Sequence, residues 1–199
     1  MHLHVYGTIF KVYVKCPVRV HRFIQLPAVN ELHLLEQLLP NPIAGVEPYR
    51  VVLFIDGFIV KVQRPDGAGD AYFCGRHGKS CDSINVQYVT DKRGRIRHIV
   101  TGCAGSTHDK TAAMWSVELR QFLDNLPPGY VVLGDPAYRG LHHNVVTTYT
   151  GHNLPADRQQ FNDACTRIRQ IVERSIGASL LLPSPSFPLP LEVGLLKSS

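Results

Sequence analysis

Four acidic residues stand where carboxylates could do chemistry. Val51-Val-Leu-Phe-Ile55 is a continuous apolar run that ends at Asp56, and Tyr130-Val-Val-Leu-Gly134 is a second run that ends at Asp135. Both runs read as buried central strands. Ending such a strand in an acid gains no stability, because desolvating an unpaired carboxylate is costly. Strand ends of open α/β sheets are also where ligands bind. The plain alternative is a turn, since Ile55-Asp-Gly57 and Gly134-Asp-Pro136 are both good turn sequences. Asp109 opens a helix after Ser106-Thr-His108, where the dipole and free amides favour an acid without further purpose. Glu173 lies in an amphipathic helical stretch, four residues after Arg169, and a surface i,i+4 pair would account for it. Taken together, the four suggest more. Hard divalent cations such as Mg²⁺ take carboxylate oxygens supplemented by water and phosphate. Phosphodiester cleavage by two metals about 3.5–4 Å apart needs acids converging from separate elements.

The elements that must position these acids lie between residues 51 and 177. Ser83 to Asp91 alternates through Ile84, Val86, Tyr88 and Thr90, and a turn at Lys92-Arg-Gly94 leads into Ile96 to Thr101. This predicts a β-hairpin. A helix is expected from about Asp109 to Asp124, with Met114, Trp115, Leu119 and Phe122 towards the core. Apolar positions 161, 164, 165, 168, 171, 172 and 176 predict an amphipathic helix, with Gly177 where a C-terminal cap belongs. The order strand, hairpin, helix, strand, helix gives an α/β fold with a mixed sheet flanked by helices. Residues 1–50 carry one helical pattern, Val29 to Leu39 with Asn30 as its cap, and no clear domain signature. Residues 178–199 hold prolines at 183, 185, 188 and 190 and are expected to be irregular.

Composition narrows the class. The 199 residues include 44% hydrophobic ones, enough for a single domain with a core and too many for a disordered chain. No run reaches the eighteen uncharged apolar residues of a membrane span, and the first ten residues lack the pattern of a secretory signal. Five widely spaced cysteines without a CxxC pair read as reduced thiols of a cytosolic or nuclear protein. Lys+Arg number 21 and Asp+Glu 16, a net charge of +5 that weakly favours an anionic partner.

Five motifs follow in order: Ile55-Asp-Gly57, Asn85-Val-Gln-Tyr-Val89, Gly105-Ser-Thr-His-Asp109, Leu133-Gly-Asp-Pro-Ala-Tyr138 and Val172-Glu-Arg-Ser-Ile-Gly177. They resemble the DDE superfamily endonuclease domain of PIF/Harbinger-type transposases and their domesticated nuclease relatives. Phe161-Asn162 followed by Arg169 is similar to that family's lead-in to its glutamate, and Asp135 and Glu173 stand 38 positions apart, close to its usual spacing. The resemblance implies a ribonuclease-H-like fold over residues 51–177. It also implies a DNA endonuclease dependent on Mg²⁺ or Mn²⁺ and using two metals. Asp56, Asp135 and Glu173 would be its catalytic residues, and Asp56, Asp109, Asp135 and Glu173 its metal ligands. A nuclear location is expected, with DNA as partner and a further protein supplying sequence-specific binding. Departures exist. Phe58-Ile59 stands where the family has Thr-His, Arg76-His77-Gly78 where it has Arg-Lys-Gly, and the segment after Gly177 is not basic. The chain therefore looks like a shortened copy. An expectation of a different class is a catalytically silent DNA- or protein-binding module on the same fold.

Two further constellations stand apart. Cys74, His77 and Cys81 have soft ligands at zinc-like spacing, with Cys103 or His108 as a fourth, but structural zinc sites normally show two tight pairs. Arg76, Lys79, Lys92, Arg93, Arg95 and Arg97, then Arg167, Arg169 and Arg174, form two basic groups that could meet phosphates, or that are simply solvated faces.

Overall fold

The computed structural model describes residues 24–37, 50–62, 69–75 and 81–181. Expectations for the rest of 1–50, for Arg76, His77 and Lys79, and for the proline-rich stretch after 181 lie outside the described residues. The chain forms α1 (Val29–Gln37), β1 (Arg50–Lys61), a short 3-10 turn, β2 (Phe73–Cys74), β3 (Cys81–Asp91) and β4 (Ile96–Ala104). It continues with α2 (Asp109–Met114), α3 (Val117–Asp124), β5 (Tyr130–Gly134), β6 (Val145–Thr147) and α4 (Ala156–Leu181). β1, β3 and β4 form an antiparallel meander, and β5 and then β6 add to the other side of β1 in parallel. The short β2 pairs with the start of β3.

Each face of the sheet buries a separate apolar cluster. Phe54, Val60, Val86, Tyr88, Val131 and Leu133 meet Ala164 and Cys165 of α4 on one face. Ile55, Val89 and Val132 meet Leu32 and Leu35 of α1, Ala113 of α2 and Leu119 and Leu123 of α3 on the other. Helices on both faces explain why β1 and β5 read as unbroken apolar runs. This is an α/β protein whose mixed, curled sheet is flanked by helices, the ribonuclease-H-like arrangement. Among the described residues no helix is long and apolar enough to cross a membrane.

Several local expectations change. Asp56 does not end β1. The strand runs on to Lys61 because Gly57 to Lys61 pair with Gln87 to Ser83, so backbone pairing outweighs the turn propensity of Asp-Gly. The helix expected over 109–124 is two helices. The Ser116 hydroxyl accepts the Leu119 N–H at 3.0 Å and caps α3. That break turns Met114 and Trp115 out to solvent, 39% and 61% exposed, rather than into the core, while Leu119 is buried and Phe122 partly so.

The remaining differences fall at helix ends. Gly177 lies inside α4, which continues its helical backbone through 181. Of the apolar positions that mark this helix, Ala164 and Cys165 are buried and Phe161 half-buried. The side chains at 168, 171, 172 and 176 lie outside the described residues. Asn30 sits within α1 instead of capping it. There the Glu31 carboxylate reaches back to the Ala28 N–H at 3.0 Å, one half of a capping box.

The predicted hairpin is present, and its turn is built by a buried acid. Asp91, fully buried, accepts the N–H groups of Arg93 and Arg95 at 2.9 and 3.1 Å and the Arg95 Nε at 2.8 Å. Gly94 supplies the positive φ of 77°. Arg97 lies between Asp91 and Glu31, and Lys92 is buried with its Nζ on the Glu36 carbonyl. Burial holds the Lys92 pKa below its ordinary value. Of this basic group, Lys92, Arg95 and Arg97 thus serve the fold rather than a phosphate.

Candidate active site

β1 and β5 run parallel, and their last paired residues are Ile55 and Gly134. Asp56 and Asp135 are the next residue on each strand, so the two acids stand side by side on neighbouring backbones. β1 alternates its side chains between faces. Ile55 joins the cluster beneath α1–α3, and Asp56, between Phe54 and Phe58, faces α4. There the Asp56 carboxylate meets Arg169 at 3.6 Å, and the same guanidinium nitrogen reaches Glu173 at 3.8 Å. Asp56 and Asp135 thus follow neighbouring strand positions, and Arg169 of α4 links Asp56 to Glu173.

The electrostatics of Asp56 follow from this placement. Its side chain is 15% exposed. Burial raises its pKa above the ordinary 3.8; Arg169 and the Gly57 N–H, which donates to Oδ1 at 2.9 Å, pull it down, and the charges of Asp135 and Glu173 push it up again. Asp135 uses Oδ1 to accept the Ala137 N–H at 2.8 Å, capping the 3-10 turn that carries Tyr138. Glu173 is 60% exposed and open to solvent along α4.

Asp109 occupies a different position. It lies on the Gly57 side of β1, where its Oδ1 accepts the Asn85 Nδ2 at 2.8 Å and the Gln87 Nε2 at 3.2 Å. Gln87 Nε2 also meets Asn85 Oδ1 at 2.6 Å, and the Tyr138 hydroxyl donates to Gln87 Oε1. Asn85, Gln87 and Tyr138 are buried almost completely. Buried amides and hydroxyls of this kind are costly unless each finds a partner, and here they satisfy one another and the acid. Burial, with the charges of Asp109, Asp56 and Asp135, drives the Tyr138 pKa well above 10, so its hydroxyl stays protonated and donating. A Cβ on Gly57 would lie 2.6 Å from Gln87 Nε2, 2.9 Å from Asp109 Oδ1 and 3.1 Å from the Tyr138 hydroxyl. Glycine after the first acid is thus what lets the network close beneath it.

Asn85, Gln87 and Tyr138 carry no role in the sequence reading, although the signal is present. Asn85 and Gln87 fall at i and i+2, on the strand face opposite Ile84, Val86 and Tyr88. Two amides on one face of an otherwise apolar strand mark a polar partner across from them.

Hard carboxylates suit a hard divalent cation, and the buried Asp56 has the Arg169 guanidinium as its counter-charge among the described residues. Among the described residues no three His, Cys, Asp or Glu side chains are gathered closely enough to hold a metal ion in this arrangement. Arg169 supplies the positive charge between Asp56 and Glu173 instead. The zinc-like triplet is only partly described. Cys74 and Cys81 face each other across β2 and β3, Cys103 is buried in the core, and His108 accepts the Lys110 N–H at the start of α2.

The mixed sheet places acids one residue beyond the paired ends of two adjacent strands, beside a helix that carries a third. The family model of the DDE superfamily endonucleases matches residues 55–179. This covers more than half of the chain, and the chain belongs to that family. DDE endonuclease domains generally use divalent metals, and their substrate is DNA. No curated protein and no solved structure matched the chain.

Proposed function

We propose that this chain is a transposase-derived DDE endonuclease domain of the PIF/Harbinger type that hydrolyses DNA phosphodiester bonds with Mg²⁺ or Mn²⁺. The observation that carries this reading is the placement of Asp56 and Asp135 one residue beyond the Ile55–Gly134 pair, with Arg169 linking Asp56 to Glu173. Asp56, Asp135 and Glu173 are the proposed catalytic residues and would hold the cations, with Asp109 the fourth acid on the far side of Gly57. Two divalent cations bound there would supply activation of a water and stabilisation of the leaving oxygen.

The chain's own residues do the rest. The raised pKa of Asp56 reflects a carboxylate whose burial favours any cation that replaces lost hydration. The amides of Asn85 and Gln87 and the protonated Tyr138 fix the orientation of Asp109 and the floor beneath Asp56. Arg169 balances Asp56 and Glu173, and Arg167 and Arg174 are exposed on the same helix, where they could meet phosphate. Residues 51–177 form the proposed catalytic unit. A nuclear location and a partner protein that selects the DNA sequence belong to the same proposal.

The experiment is nicking of supercoiled duplex DNA by the purified chain. Nicking should require Mg²⁺ or Mn²⁺, stop with a chelator, and fall at least a hundredfold in Asp135→Ala and Glu173→Ala, the scale at which loss of transition-state charge stabilisation acts. Equal activity in the variants would remove the assignment.

A further inference from the structure

α4 carries one continuous stripe of residues at helical spacing: Arg158, Asn162, Cys165, Arg169 and Glu173. Its far end is the proposed acid site, where Arg169 and Glu173 stand. Cys165, fully buried, seats the middle of the stripe on the sheet. The near end is occupied by an exposed aromatic. Tyr149, 44% exposed, follows β6, and β6 lies beside β5 with Thr147 in register with Gly134. Tyr149 and Asp135 therefore both lie beyond the same end of the sheet.

This tyrosine is exposed yet fixed. Asn162 accepts its N–H at 2.9 Å and donates to its carbonyl at 3.0 Å, a two-point clamp on the backbone. Arg139 donates to the Thr148 carbonyl and the Thr150 hydroxyl, both at 2.8 Å, and so pins the residues on either side. The Arg158 guanidinium lies over the ring at 4.9 Å from its centroid, and the Phe161 ring meets it edge-on at 5.4 Å. An exposed aromatic gains nothing for the core from so many restraints. Preorganisation of that kind lowers the cost of binding instead.

We propose that Tyr149 and Arg158 form a stacking platform for an unpaired nucleobase of the DNA strand that enters the acid site. The inference rests on the nuclease reading above. An aromatic ring layered with a guanidinium takes any base by its π face, and the arginine adds charge for the adjoining phosphate. Eleven helical residues separate Arg158 from Arg169, roughly 16 Å along the axis. The platform thus holds a nucleotide a few positions from the bond under attack and keeps that flank of the duplex open.

The test compares a fluorescent single-stranded oligonucleotide with a blunt duplex of the same length. Binding of the full chain to each is followed by anisotropy in the presence of chelator, so no cleavage is involved. Tyr149→Ala should weaken single-strand binding about tenfold and leave the duplex within twofold, while Tyr149→Trp retains single-strand binding. Arg158→Ala, at an exposed site in the first turn of α4, should weaken it as well and carries the test if Tyr149→Ala melts. Equal losses on both DNA forms, no loss at all, or rescue by a peptide rather than an oligonucleotide would overturn the platform. Chain that nicks DNA but shows no Tyr149 effect loses the platform and keeps the nuclease. Chain that binds through Tyr149 but never nicks keeps the platform and loses the nuclease.

Discussion

Asp56 is held in an uncomfortable state, its side chain only 15% exposed. Burial raises its carboxyl pKa, and the pull of Arg169 and the Gly57 amide does not fully offset this. An acid with a folded pKa above its unfolded one is destabilising when ionised. That penalty is complete above the raised folded pKa, shrinks as pH falls towards 3.8, and is absent below it. Metal-free Asp56→Asn should therefore melt above wild type at pH 7, with the difference vanishing near pH 4. Melting curves across that range check it, and a variant that melts lower at pH 7 would contradict the sign. Beneath Asp56, Gly57→Ala forces a methyl against Gln87, Asp109 and Tyr138. Overpacking of this sort costs about 1–3 kcal/mol, which would appear as a lower urea midpoint. An unchanged midpoint would mean the network has slack that its distances do not suggest.

At the scale of elements, the site depends on strands continuing and helices breaking where local sequence argues otherwise. β1 runs through Asp-Gly because β3 offers it partners up to Lys61. The helix after Asp109 stops at Trp115 because the Ser116 hydroxyl caps α3, accepts from the Leu119 N–H and lies 2.8 Å from His98 Nε2. Ser116→Ala should cost about 1 kcal/mol, a typical value for a lost cap, measured by chemical denaturation. A cost near zero would mean that packing of Leu119 and Leu123 alone sets the break.

These two elements also show what could be read from residues alone. The apolar runs, the hairpin and the long helix were legible, because two-sided burial and amphipathic spacing leave direct marks on residue type. The mid-strand position of Asp56 and the exposure of Met114 and Trp115 were not, since each depends on a partner distant in sequence. The acids themselves are plain in the sequence, but the placement of Arg169 between Asp56 and Glu173 is not. The clamp of Asn85, Gln87 and Tyr138 was not legible either, because its parts come from β3, the start of α2 and the turn after β5 and meet only in the fold.

For the molecule as a whole, the two basic groups separate. On the hairpin, Asp91, Glu31 and Glu36 engage Arg95, Arg97 and Lys92. On α4, Arg169 is engaged by Asp56 and Glu173, while Arg167 and Arg174 are exposed, as is Arg158 of the proposed platform. DNA binding should draw on the second group. About three phosphate contacts give a logarithmic salt slope near −2.7, or roughly fortyfold weaker binding between 50 and 200 mM salt. Arg174→Ala should lower that slope by about one and Arg95→Ala should leave it unchanged. A slope that responds to Arg95 instead would move the DNA path to the hairpin.

Whether Asp56, Asp135 and Glu173 share divalent cations is tested most directly by a crystal structure of the chain grown with Mn²⁺. Anomalous density is expected between these carboxylates, with oxygen distances of about 2.0–2.6 Å for a hard cation and with Arg169 withdrawn from between Asp56 and Glu173. Density elsewhere, or carboxylates that stay apart with Arg169 still bridging them at saturating Mn²⁺, would contradict it.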